Sequence, residues 1–554
     1  VGLGTSAEAA SNPQTVVSTD VTTNTTWSGE IILDGPVVVT NGATLTILAG
    51  TIIRGRPRQN SDPTLDIPGT LIVATDGRIN ASGSASNPII FTTGAIDNNA
   101  DGNPDDVDGN PGFLDPWTST SDTFLDANPK TAPLSPMLPN GTAAVDLWGG
   151  VVVLGNAPTN LGTGPGAGYG RGQIEGLAVP GQIPAALAQY GGLDPHDSSG
   201  ILRFISIRHA GDDIDTALGN ELNGISLGGV GDGTIFENIE VYCNFDDGIE
   251  WFGGTVHGKR LAVFFAGDDT FDLDQGYTGL NQFLFGVMPY FNENGGGAWG
   301  SASGDKGTEF DGDDFNPTSS ATNPLNVNVR RTQDGTASDP TPWPLSGPAI
   351  YNMTIIGSSP PSPAFPATSP AAANRGIQMR NGFAGVVANS IVVNTGTAPV
   401  LDVINGDASG GVPGFKTCDN NVPNGLVAVI SSTFDDSAGG YGGCAAGAIA
   451  NGNAIAAARG AGPNYRAGSF AGLVVEDQTF PLTGLGGTGK LGAGIKPTKL
   501  NPRPVSSVET LLGITPQGPG LDAAATYRGA FQRTATRLWT TGWTALSIGG
   551  VLAD

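Results

Sequence analysis

The amino-acid sequence predicts an all-β protein: a single right-handed parallel β-helix with long loop insertions and terminal caps. Three observations lead there. Short β-branched runs each stop at glycine, asparagine or aspartate; one phrase repeats at an offset of 22 residues (268 − 246); and the composition is rich in turn formers. A chain of 554 residues exceeds the usual size of one domain, but a coil that grows by adding similar layers holds such a length in one unit. With 38% hydrophobic residues the chain is too apolar for disorder, and 86 glycines with 40 prolines interrupt any long helix.

The first 28 residues are expected to form an extended N-terminal segment or cap, with the coil over 29–521. Its opening third reads EIILDG, PVVVTNG, ATLTILAG, TIIRG, TLIVATDGRINASG and NPIIFTTG. Runs of this length with period-two apolar character are strands turning corners. The repeat appears in the middle, where VYCNFDDGIEWFGG (from Val241) overlays VFFAGDDTFDLDQG (from Val263). One turn of a parallel coil is about that long. On this overlay Asp246 matches Asp268, Asp247 matches Asp269, and Glu250 matches Asp272. Extended to neighbouring phrases, it predicts an inward column of Ile225, Ile249, Phe271, Phe310 and Ile377. Its outward neighbour is Ser226, Glu250, Asp272, Asp311 and Gln378, and Asp212 with Asp213 joins the aspartate columns. Insertions are expected at 97–146, 156–200, 287–346, 357–373 and 404–500, with short helices in IPAALAQY and AGAIANGNAIAAARG. Residues 522–554 are expected to cap an open end, where bare strand edges would otherwise pair with other chains.

TLTILAGTIIRG, LIVATDGRINASGSASNPIIFTTG, LWGGVVVLGNAP, NGISLGGVGDGTIFENIEVYCNFDDGIEWFGGTV, LAVFFAGDDTFDLDQGYTG, YNMTIIGS and the closing YRGAF with LWTTGWTAL carry a resemblance. Together they resemble a family of secreted bacterial right-handed β-helix repeat proteins. That resemblance implies a cell-surface or extracellular location and brings no agreed catalytic residues, so function rests on the sites.

Charge narrows the partners. Acidic residues outnumber basic ones 51 to 25, for a net −26, and such a surface repels nucleic acid and anionic membranes. No apolar run is long enough for a transmembrane segment. The start VGLGTSAEAASN has neither a basic nor an apolar leader region, and the composition suits an exported chain. Cys418 and Cys444 bracket a loop-like stretch and are expected to close it as a disulfide in an oxidising compartment, while Cys243, in IEVYCNF, is expected to be a buried thiol.

The acidic clusters point to calcium. DNNADGNPDDVD places Asp97, Asn99, Asp101, Asn103, Asp105 and Asp108 at positions 1, 3, 5, 7, 9 and 12 of a calcium loop, with Gly102 at the bend. A second metal site is expected among Asp246, Asp247, Glu250, Asp268, Asp269, Asp272 and Asp274, because stacked like charges need a cation, an arginine or a raised pKa. Arg203, Arg208, Lys259 and Arg260 are the nearest cations in sequence. A third cluster includes Asp311 and Asp313. The ordinary alternative at each place is an aspartate bonded to its own corner backbone.

These features favour a non-catalytic extracellular structural or surface protein, a calcium-stabilised rod with the capacity to self-assemble into filaments by strand addition. The alternative is a polysaccharide-active enzyme, pectate-lyase-like or polygalacturonase-like, or a carbohydrate-binding surface module using Trp117, Trp251 or Trp299. NFDDG followed a turn later by GDD is similar to polygalacturonase-type hydrolases. The Gly-His-Gly and Arg-x-Lys elements of those enzymes have no counterpart in the next segment, QFLFGVMPYFNENGGGAWG.

Overall fold

Short β-branched and aromatic runs become strands, and the glycine, asparagine and aspartate between them become corners. The computed structural model describes residues 14–60, 66–105, 114–289, 306–312, 347–357, 375–405, 417–418, 427–434, 441–444, 500–504 and 513–552, apart from 137, 141, 162–170, 175–176, 178–181, 216–219, 394 and 396–398. Within them nearly every strand of the coil pairs in parallel with its equivalent one turn away, so the chain is a parallel β-helix. IPAALAQY forms turns ending in the strand Gln189–Tyr190 and is not a helix, and AGAIANGNAIAAARG lies outside the described residues.

Two sheets make the wall. In a ten-stranded sheet, Gly150–Leu154, Ile225–Gly228, Ile249–Phe252, Phe271–Asp274, Lys306–Asp311, Arg375–Arg380 and Leu401–Val403 lie side by side. A sixteen-stranded sheet covers the rest of each turn with longer strands such as Ile235–Asn244 and His257–Ala266. These bend at Phe204, Asn238, Arg260, Phe283 and Asn352, whose φ values of 51° to 65° are left-handed, and Ile235–Asn244 and His257–Ala266 bend again near their ends at Cys243 and Phe265. Non-glycine residues rarely adopt that backbone, and here the ladders on both sides hold it in place.

Register places Ile225, Ile249, Phe271, Thr308, Ile377 and Leu401 in one inward column, and Leu227, Trp251, Leu273, Phe310, Met379 and Val403 in the next. The outward column between them is Ser226, Glu250, Asp272, Glu309, Gln378 and Asp402. Phe310 and Asp311 therefore sit two residues beyond their expected places, which Thr308 and Glu309 occupy. A slip of two keeps every side chain on its expected side of the strand, so sequence pattern does not detect it. The core is a continuous stack from Val21 to Phe434, and each large apolar side chain buried in it contributes about 1.5–3 kcal/mol.

The coil begins earlier than the sequence suggests. Thr15–Val17 pairs with the strand Glu30–Leu33, and Thr25–Trp27 with Thr44–Ile47, so this stretch forms the first turn. At the other terminus, residues 513–552 run as a strap along the flank, back toward the N-terminal turns, and do not lie across an end. Asn389 brackets Ile514, accepting from its N–H and donating to its carbonyl (2.8 and 2.7 Å). Gln282 does the same at Asp522 (2.7 and 3.1 Å). Phe531 meets Phe285 edge-on and Trp543 meets Phe204 edge-on. Among the described residues no helix is long and apolar enough to cross a membrane.

Candidate functional site

The acidic corners form where the sixteen-stranded sheet turns into the ten-stranded one. Asn244 pairs with Ala266 on one side of the corner and Ile249 with Phe271 on the other, both at an offset of 22, so the aspartates between them are stacked equivalents. The backbone links them directly. Asn223 Oδ1 accepts from Asp247 N–H (3.1 Å), and Asp247 Oδ1 accepts from Asp269 N–H (2.8 Å). Gly248 follows because the turns approach closely there: a Cβ would lie 2.3 Å from Val263 Cγ1 and 2.7 Å from the Thr270 carbonyl.

Two groups of carboxylates result. Asp246, Asp247 and Asp268 each bring an oxygen within 4.8 Å of the others, as do Asp247, Glu250 and Asp272, so Asp247 belongs to both. Asp269 and Glu309 complete the cluster. Lys306 supplies the cation, with Nζ 3.2 Å from Asp269 Oδ2 and 2.9 Å from Glu309 Oε2, all three nearly buried. Arg380 Nε lies 2.6 Å from Glu309 Oε1 and 2.7 Å from Asp311 Oδ1, and Arg375 pairs with Asp402 at 3.1 Å.

Two cations do not neutralise this many acids. Burial, reinforced by the Asp268 charge, pushes Asp247 well above the carboxylate range. Burial also raises Asp269, against the pull of Lys306, and raises Asp272 with help from Asp247 and Glu309. Asp311 is pushed up to about 7 by burial and by Glu309. Glu309 goes the other way: burial would raise it, but Lys306 and Arg380 hold it below its ordinary value. No donor reaches Asp269 Oδ1 or Asp272 Oδ1, although both atoms are buried. Each such oxygen needs a proton or a cation. An all-oxygen donor set of carboxylates is what a hard divalent ion prefers, so the residues present fit calcium.

Several residues singled out from sequence lie elsewhere. Asp212 and Asp213 leave the coil in a hairpin with Asn220–Leu222, where Asp212 pairs with Arg58, and Asn223 takes the corner position in their place. Asp274 is buried at the end of its strand, paired in register with Phe252. Arg203 pairs with Glu237, Arg208 donates to the Pro129 carbonyl, Lys259 donates to the Gly520 carbonyl, and Arg260 lies over Phe283. The cluster's actual cations, Lys306 and Arg380, come from later turns and carried no local signal beyond the three-residue spacing of Lys306 and Glu309. Trp251 is wholly buried beside Phe236, Phe271 and Tyr277, so it is a core residue and not an exposed sugar platform. Trp117 is half-buried and stacks on Phe124; Trp299 lies outside the described residues.

In the loop from Asp97, Asp97 accepts from the N–H groups of Asp101 (3.1 Å) and Gly102 (2.9 Å). Asn99 Oδ1 accepts from Asp101 N–H, and Asp101 Oδ1 from Asn103 N–H, both at 2.8 Å. Asp105 accepts from Asn98 N–H (2.8 Å), and Gly102 has φ +81°. The loop is thus wound by its own side chains; Asp108 and Asp313 lie outside the described residues. Cys418 and Cys444 are joined, and Cys243 is a buried free thiol.

A family model that the sequence matches agrees with the parallel ladders and stacked core. The chain belongs to the pectate-lyase-like β-helix domain family, whose model matches residues 17–103 and 137–441. No curated protein and no solved structure matches the chain. The match spans most of the coil and leaves out 104–136, which begins inside the 97–108 loop.

Proposed function

We propose that the protein is a non-catalytic, calcium-stabilised β-helix scaffold acting outside the cell, at a surface or in a matrix. The observation that carries this reading is the pair of carboxylate groups sharing Asp247, one of which includes Asp272, whose buried Oδ1 no donor reaches. Asp246, Asp247, Glu250, Asp268 and Asp272 would hold the ion, and the 97–108 loop a second one. Bound calcium would supply the positive charge that Lys306 and Arg380 leave short. The Cys418–Cys444 bond supports an oxidising compartment. Thr15–Val17, an exposed edge strand at the end of its sheet, is where strand addition by another copy would begin. Sedimentation showing only monomers at high concentration with calcium would remove assembly.

The test is titration calorimetry with calcium in buffers of different ionisation enthalpy. Acids that are protonated without metal must release protons on binding, so affinity falls as pH falls. A chain that binds no calcium at millimolar concentration, or binds it as tightly after Asp247→Asn and Asp97→Asn together, refutes the reading.

A second reading, supported by family membership, is cleavage of acidic polysaccharides. Asp272 and Glu309 are neighbours on adjacent strands, the first raised by burial and the second lowered by Lys306 and Arg380, the directions an acid and a base require. It predicts release of reducing or unsaturated ends that is lost in Asp272→Asn and in Glu309→Gln. Glycan binding without turnover would instead mark a binding module.

A further inference from the structure

The strap covers an outward column of the sixteen-stranded sheet that runs Ser206, Glu240, Ala262, Phe285, Thr354 and Ile391. Every member but one is apolar or a hydroxyl. Glu240 is ionisable, fully buried, and in direct contact with the strap. Its Oε1 accepts from Ala545 N–H at 2.6 Å, and its Oε2 accepts from Ser206 Oγ at 2.5 Å. Ala545 opens the only helical turn in the strap, Ala545–Ile548, with Thr544 as its N-cap. The turn is held by apolar packing of Ala545, Leu546, Val551 and Leu552 against Tyr242 and Phe264.

The charged and titratable groups around Glu240 are few. From the preceding turn, the fully buried Arg208 pairs with Glu240 through Nη2, 3.9 Å from Oε2, and its Nε donates to the Ser206 hydroxyl that bonds the same oxygen (2.7 Å), while Nη1 goes to the Pro129 carbonyl. From its own strand, Tyr242 and Cys243 are buried, and burial pushes both further into their neutral forms. The following turn contributes Ala262, and the strap contributes Thr544, Ala545 and Leu546, none of them charged. The strap's departure would open this carboxyl to water.

We infer that Glu240 is a proton-linked latch for the C-terminal strap: docking takes up a proton, release returns it, and the strap loosens as pH rises. The direction follows from linkage. Burial lifts Glu240 from its ordinary 4.5 to about 7, although Arg208, Ser206 and Ala545 each pull it down. Released into water, it returns to the ordinary value. The docked state therefore binds more protons, so docking is strongest in mild acid and weakens as pH rises through 7. With those two values, (1 + 10^1.5)/(1 + 10^−1.0) at about pH 5.5 divided by (1 + 10^−1.0)/(1 + 10^−3.5) at about pH 8 gives roughly a 27-fold change in the opening equilibrium.

Hydrogen exchange of the full chain, followed by mass spectrometry over 540–552 and corrected for intrinsic exchange, tests this. Opening of wild-type strap should rise by tens of fold from the acid to the alkaline condition, while Glu240→Gln, neutral throughout, should stay protected at both. If Glu240→Gln fails to fold, Ala545→Pro serves. Thr544 already has the extended backbone a proline requires after it (φ −87°, ψ 151°), and the first helical position tolerates proline. That variant replaces the N–H donor with a ring carbon facing Glu240 Oε1, so the strap should open more than wild type at the alkaline pH and the coil's own exchange should be unchanged. Equal wild-type protection at both pH values, a surviving pH dependence in Glu240→Gln, or wild-type protection in Ala545→Pro at the alkaline pH would each overturn the latch.

Discussion

Lys306→Met removes the buried ammonium while preserving most of the side chain's volume. Lys306 is about 5% exposed and faces Asp269 and Glu309 at 3.2 and 2.9 Å. At an effective dielectric near 20, one such contact corresponds to roughly 5 kcal/mol of Coulomb attraction, and desolvation of the lysine cancels part of it. The two acids do not suffer equally. Glu309 keeps Arg380, whereas Asp269 loses its cation while its other oxygen already lacks a donor. Removing one partner of a buried pair costs about 3–5 kcal/mol, and in chelator we expect that range at alkaline pH, where Asp269, raised by burial, is ionised. Protonation of Asp269 relieves the unpaired charge, so the loss should shrink as pH falls. Urea unfolding followed by tryptophan fluorescence measures both. A cost below about 1 kcal/mol at alkaline pH, or one that does not shrink as pH falls, would show that Lys306 is not the neutralising charge.

Two other outcomes follow from the same packing. His209 is fully buried, its Nδ1 2.6 Å from the Ala144 carbonyl, and burial lowers its pKa to about 4 from 6.5. The unfolded chain then binds the extra proton, so stability is complete above 6.5 and is lost as pH falls toward 4, opposite in sign to Glu240. His209→Asn, which tolerates the left-handed φ of 60°, should flatten that acid limb in proteolysis of the 114–147 insertion; an unchanged limb would exclude His209 as its cause. Trp251→Ala should cost about 3–5 kcal/mol and leave calcium binding intact, because the ring fills the core behind the acidic row; lost binding with retained stability would place Trp251 at the site.

Much of this fold is a local property and was legible as such. The strands ending in NFDDG and AGDD, the 22-residue offset and the inward column over Ile225, Ile249 and Phe271 depend on neighbours within about one turn, where pattern and register agree. The pairing of Asp246 with Asp268 and of Asp247 with Asp269 follows from the same spacing. The site became harder to follow as the turns lengthened. From Phe271 to Thr308 the chain advances 37 residues (308 − 271) within a single turn, and there the overlay slipped by two.

What the sequence by itself determined is the repeating layer: which residues form strands, which side faces inward, and that acidic corners stack. Tertiary structure alone decided how the resulting charge is balanced. Arg380 meets Asp311 from 69 residues away, Asn223 replaces the diverted Asp212 and Asp213, and the strap reaches Glu240 from 305 residues away. The physical reason is range. Side-chain alternation is set by the backbone within a strand, whereas neutralising a buried charge depends on whichever donor or cation the completed coil brings within a few ångströms, at no fixed distance along the chain.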